Sequence, residues 1–186
     1  MNSAAERFSI VTGGPGSGKS TLIGVLHKRG YARSIEAGRG VIQDQMAIGG
    51  QALPWIDPLF FAELMLSWEM RSYHIANEAA GPVFFDRGVP DVLGYLRLTN
   101  LPVPEHIRKA ADLFLYNRKV FIAPPWKDIF QQDRERKQDF DEAIRTYDAL
   151  AKTYTSLNYE LVELPRASVE ERLSFVLANV AIDPDI

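Results

Sequence analysis

The stretch FSIVTGGPGSGKSTLIGVL, Phe8–Leu26, decides the fold. Phe8 to Thr12 is a short apolar run that stops at a glycine cluster, which reads as a buried strand. Beyond the cluster, Lys19 to Arg29 carries Leu22, Ile23, Val25 and Leu26 at helical spacing, and Gly30 sits where a helix-ending glycine belongs. Between strand and helix, Gly13-Gly14-Pro15-Gly16-Ser17-Gly18-Lys19-Ser20 matches G-x-x-x-x-G-K-[ST] in full. Each part has a physical task. The glycines let backbone N–H groups converge on one point without side chains in the way. The helix that follows aims its N-terminal amides and dipole at the same point, which suits an anion. Lys19 brings a positive charge for the β and γ phosphates, and the Ser20 hydroxyl reaches magnesium. A glycine-rich turn with a chance Gly-Lys-Ser would not need the flanking strand and helix. The expected ligand is therefore ATP or GTP with Mg²⁺, cradled by Gly13, Gly14, Pro15, Gly16, Ser17, Gly18, Lys19, Ser20 and Thr21.

Working outward, further strands read at Tyr31–Glu36, Val83–Phe85, Lys119–Ala123 and Tyr159–Leu164. Helices read at Arg39–Ala47, from Asp57-Pro58 to about Ala80, Asp91 to about Leu98, Glu105 to about Tyr116, Asp139–Ser156, and from Ser168 onward. Asp57-Pro58 is a helix-start pair, and Ser168 with Glu171 makes a capping box. Five strands separated by helices predict an α/β fold of three layers: a five-stranded parallel sheet with helices on both faces. The 186 residues suit one nucleotide-binding domain over 1–186, with no internal repeat, linker or low-complexity segment.

Sites in such sheets lie at the carboxyl ends of the strands, and unusual residues cluster there: Gly13, Glu36, Asp86, Pro124 and Pro165. Asp86 ends the third strand, where this fold holds an acid that orders magnesium; a surface aspartate capping the next turn is the competing reading. The next residue is Arg87, not a second acid to activate water, which argues against a fast ATPase. Arg87 suits a polar or anionic acceptor. Asp91 reads either as a helix cap or as part of this group. Glu36, with Arg39 three residues on, is placed to accept a proton from a substrate hydroxyl attacking the γ-phosphate.

Residues 131–137, QQDRERK, are polar and rich in arginine. They read as a solvated face or as a lid within 126–140, whose Arg134 and Arg136 would spread the charge of the transferring phosphoryl group. The stripe Phe60, Phe61, Leu64, Met65, Trp68 has helical spacing and is expected in the core. Trp55 and Trp126 fall in loops and are candidates to line a pocket. His27, His74 and His106 share no metal-ligand spacing and are expected to be structural or exposed.

Composition bounds the rest. The chain has no cysteine, which removes disulfide and thiolate-metal readings. A net charge of −3 provides no general attraction to nucleic acid. The sequence shows no signal peptide and no stretch fit to span a membrane, so a cytoplasmic monomer or small oligomer is expected.

The segments VTGGPGSGKSTLIGVL, RGYARSIEAGRGVI, VFFDRGVPD, VFIAPPWKDIFQQDRERKQDF and YELVELPRASVEERLSFVL carry a resemblance that covers most of the chain. They resemble the small AAA-domain P-loop ATPases and kinases that include the ribosylnicotinamide kinase domain of NadR. The resemblance implies a kinase-type sheet with the Asp86 strand beside the strand of the phosphate loop. It implies a lid around Arg134 and Arg136, and Glu36 and Asp86 as base and magnesium site. The function so implied is phosphoryl transfer to a nucleoside-like or nucleotide-like acceptor under the helices of residues 39–80. The rival is a nucleotide-switched binding module with slow hydrolysis and a protein or lipid partner.

Overall fold

A computed structural model describes residues 3–130 and 139–180. After a single helical turn, α1 (Ser3–Arg7), strand β1 (Phe8–Gly13) leads through the glycine loop into α2 (Lys19–Lys28). Then come β2 (Ala32–Arg33), α3 (Ala37–Ile48), α4 (Pro58–Glu78), β3 (Val83–Asp86), α5 (Val89–Leu98) and α6 (Glu105–Leu113). The chain closes with β4 (Lys119–Ala123), a 3-10 turn at Lys127–Ile129, α7 (Phe140–Ser156), β5 (Glu160–Glu163) and α8 (Val169–Asn179). The strands pair in the order β2-β3-β1-β4-β5, and all four pairings among the described residues are parallel. The Asp86 strand therefore lies beside the strand of the phosphate loop, as expected.

Alternation along the strands builds two cores. Phe8 and Ile10 of β1 and Val83 and Phe85 of β3 face one side, where α4, α5, α6 and α7 cover them. Val11, Phe84 and Phe121 face the other side, under α2 and α8. Each large side chain fully buried this way stabilises the fold by roughly 1.5–3 kcal/mol. Sheet and helices fix the carboxyl ends of β1, β3 and β4 side by side, with Val11 level with Asp86 and Gly13 level with Ala123.

Three expectations change. The second strand is only Ala32–Arg33, because Ser34 turns its side chain to the Asp86 amide while its own N–H still bonds Phe84 O. Phe60 is exposed: the buried face of α4 runs through Phe61, Ala62, Leu66, Glu69, Tyr73 and Ala76. Trp55 is exposed as well.

Candidate active site

The glycine loop is close-packed backbone. A Cβ on Gly13 would come within 2.4 Å of Ala123 O, and one on Gly14 within 2.4 Å of Ala143 O. Gly16 and Gly18 adopt left-handed φ of 68° and 80°, which side-chain-bearing residues resist. Lys19 is 6% exposed, and its Nζ donates to Gly14 O at 2.6 Å and Ser17 Oγ at 3.3 Å. Its charge thus folds over the loop where amides and helix α2 converge. Thr21 is exposed beside it.

Ser20 Oγ donates to Asp86 Oδ2 at 2.9 Å, while Asp86 Oδ1 is buried with no partner. Burial, then the nearby Glu36, pushes the Asp86 carboxyl above its ordinary range, and Lys19, Arg87 and the Ser20 hydroxyl pull against that shift. A hydroxyl and an unsatisfied carboxylate oxygen are hard oxygen donors, which fit Mg²⁺. Among the described residues no cluster of three or more His, Cys, Asp or Glu is built to hold a metal. That is compatible with an ion held mainly by nucleotide phosphates and water.

Arg87 follows Asp86 with a left-handed φ of 71°, a strained choice for a residue bearing a side chain. Its Nε donates to Glu36 Oε1 at 3.2 Å and its Nη1 to Asp91 Oδ1 at 3.1 Å. Asp91 is more than a helix cap. It accepts from the Gly88 amide at the start of α5, and also from the Thr12 hydroxyl of β1 and the Tyr154 hydroxyl of α7. Glu36 is buried just ahead of α3, and folding brings Arg87 onto its carboxylate, a pairing that the sequence did not indicate. Arg39, in the first turn of α3, is half-buried and engaged in contacts within the protein.

Two functional candidates escaped sequence reasoning. Glu69 is 2% exposed on α4, its Oε2 has no partner, and burial followed by the charge of Asp91 and then Asp86 drives its carboxyl well above the ordinary range. Its spacing from Ala62, Leu66, Tyr73 and Ala76 was the available signal: an acid on the apolar stripe. Arg172 of α8 is 3% exposed and donates through Nη1 to Ser17 O at 2.8 Å and through Nε to Pro165 O at 2.8 Å. Its guanidinium lies 5.0 Å from the Trp126 ring centroid, so Trp126 does flank the loop.

Arg134 and Arg136 lie outside the described residues. His27, His74 and His106 are exposed, and His106 pairs with Glu63 at 2.8 Å. A cavity of about 680 Å³ opens between β2, α3 and α4, lined among others by Arg33, Asp44, Trp68 and Arg71. Ser34, whose hydroxyl accepts from the Asp86 amide, is part of its wall, whereas Glu36, Arg87 and the loop residues are not. No helix among the described residues is long and apolar enough to cross a membrane.

Fold and loop together define the class of P-loop phosphotransferases and ATPases. More particularly, the chain belongs to the family described as AAA domain, whose model matches residues 8–172. No curated protein matches it in sequence. Solved structures similar in fold include deoxyadenosine kinase from M. mycoides, with 14% identity, a TM-score of 0.61, and coverage of 92% of this chain and 97% of that one. Thymidylate kinase from Ehrlichia chaffeensis has 15% identity and a TM-score of 0.64, covering 92% and 97%. NadR in complex with NR has 17% identity and a TM-score of 0.68; 95% of this chain aligns with only 50% of that one, so the chain spans half of NadR.

Proposed function

We propose that the protein is a small-molecule kinase that moves the γ-phosphoryl group of Mg-ATP, or Mg-GTP, to a nucleoside-like or nucleotide-like acceptor. The observation that carries this reading is the ion pair between Glu36, at the start of α3, and Arg87, the residue after Asp86, whose carboxylate accepts from the phosphate-loop Ser20. A carboxylate fixed beside the phosphate site is what a hydroxyl nucleophile needs, and a purely structural ion pair has no need of that position.

In this reading the loop amides and Lys19 bind the β and γ phosphates, with Gly13 through Thr21 forming the cradle. Ser20 and Asp86 would hold the magnesium ion, which supplies charge neutralisation on the phosphates when bound. Glu36 takes the proton from the acceptor hydroxyl as its oxygen attacks the γ-phosphorus and the bond to the β-phosphate oxygen breaks. Arg87 and Arg39 orient the acceptor under the helices of residues 39–80. Arg134 and Arg136, within a lid over 126–140, stabilise the transferring group.

The test is a screen of nucleosides and nucleotides for acceptor-dependent ADP release. Release stimulated by an acceptor, with phosphorylated product found by mass spectrometry, supports the kinase. Slow release indifferent to every acceptor favours the nucleotide-switched module, a rival that the absence of a second acid after Asp86 also fits.

A further inference from the structure

The charge around the proposed acceptor position limits what the acceptor can be. Four carboxyl groups meet there: Glu36, Glu69, Asp86 and Asp91, each buried. The described cations that bear on them are Lys19, turned onto the loop, and Arg87. Arg87 is already divided, with Nε on Glu36 and Nη1 on Asp91. Those two carboxylates and Asp86 hold its guanidinium charged against the penalty of burial. Arg39 is also engaged within the protein. A phosphate acceptor brings about two negative charges at neutral pH and calls for charge-assisted donors not already committed. Among the described residues, the buried guanidinium N–H of these cations that makes no hydrogen bond is Arg39 Nε, a single donor where a phosphate calls for several.

A hydroxyl makes the opposite demand. It needs an acceptor for its proton and brings no charge. Glu36 provides the oxygen, and a neutral hydroxyl asks for no further cation beside it. From this we infer that the acceptor attacks through the hydroxyl of a molecule with no phosphate at that position. Asp91 is the specificity residue, because it takes half of the Arg87 fork and so denies it to an incoming phosphate. This rests on the kinase reading above. Asp91 is bonded to Thr12, Gly88, Tyr154 and Arg87, so it is a positioning residue that acts through Arg87.

The experiment measures ADP release by the full chain with Mg-ATP and matched pairs of acceptors: common ribonucleosides and deoxyribonucleosides, and the 5′-monophosphate of each. The expected result is that a nucleoside stimulates turnover at least about tenfold more than its own monophosphate, the scale of discrimination that unmatched polar groups produce. If a monophosphate is the better acceptor, this inference is overturned and the kinase reading stands. If ADP is released at a rate that no acceptor changes, the kinase reading falls and the inference with it. Asp91→Asn keeps the side chain's shape while removing its charge. It is expected to shift the nucleoside-to-monophosphate ratio of kcat/KM toward the monophosphate by about tenfold, with KM for ATP within about twofold. A folded variant with an unchanged ratio removes Asp91 from the role. The paired-acceptor measurement on the parent protein decides the substrate class even if the variant does not fold.

Discussion

Ser20 Oγ donates to Asp86 Oδ2 at 2.9 Å, and the other oxygen of the same carboxylate is buried without a partner. An unmet buried acceptor costs roughly 1–3 kcal/mol, and a hard cation or its water would remove that cost. Asp86→Asn should therefore reduce magnesium-dependent turnover by about 100-fold, the scale seen when one electrostatic group is lost from such a site. Binding of the triphosphate without magnesium should change little. Turnover measured across a magnesium titration checks this; parental rates with parental magnesium dependence would reduce Asp86 to a turn-capping residue.

Lys19→Ala removes the charge that folds over Gly14 and Ser17. Its described hydrogen bonds are with the loop, and it is no member of either apolar core, so the fold should survive. Triphosphate affinity should fall by about 10- to 100-fold, as expected for a charge-assisted contact of roughly 1.5–3 kcal/mol. Calorimetry with a non-hydrolysable ATP analogue, alongside circular dichroism, measures both halves. Unchanged affinity would remove the basis for calling this loop a phosphate site.

What the sequence disclosed was local. The phosphate loop, its strand and its helix are contiguous, so glycine positions and apolar spacing were enough to read them. Asp86 was legible because three apolar residues run straight into it. Asp91 was left between a cap and a member of the strand-end group, because its partners Thr12 and Tyr154 lie 79 and 63 residues away, and only folding brings three elements onto one carboxylate. Within its own segment it looks like an ordinary cap for α5. Phe60 was misread for a related reason: an aromatic stripe does not reveal which edge of the helix stays in water, and α4 turns its buried face through Phe61 and Glu69.

Glu69 yields a prediction about stability and pH. Its folded carboxyl holds its proton well above the ordinary value of 4.5, chiefly through burial. Between that value and the folded one, the native state binds more protons than the unfolded chain. Stability therefore falls as pH rises through the window, by at most about 1.4 kcal/mol per pH unit for this one group. Glu69→Gln has no proton to lose, so its stability should decline less between about pH 5 and pH 8. Urea melts of both proteins across that range give the comparison. Parallel slopes would show that Glu69 does not carry the pH dependence.

Arg172 links the last helix to the phosphate loop, and its substitution separates bracing from binding. Its Nη1 holds Ser17 O at 2.8 Å, its Nε holds Pro165 O at 2.8 Å, and its plane lies near the Trp126 ring. Ser17 is part of the cradle, so the guanidinium fixes one carbonyl of the loop from behind. Lysine can replace the charge but not the planar fork that reaches two carbonyls while stacking on an indole. Arg172→Lys should therefore resemble Arg172→Ala more than the parent. Both variants should raise KM for ATP by about tenfold, since a loop free to change shape must be ordered again on binding. The melting temperature should also fall, because Arg172 is buried and its loss leaves Ser17 O and Pro165 O without these donors. Turnover at saturating ATP should change less than KM, because Arg172 braces the loop and is not where charge develops during transfer. Steady-state kinetics in ATP, with thermal melts of the same preparations, test both parts. An Arg172→Lys variant with parental KM and parental melting temperature would mean that a single positive charge is enough there, and that the fork and the stacking on Trp126 contribute nothing.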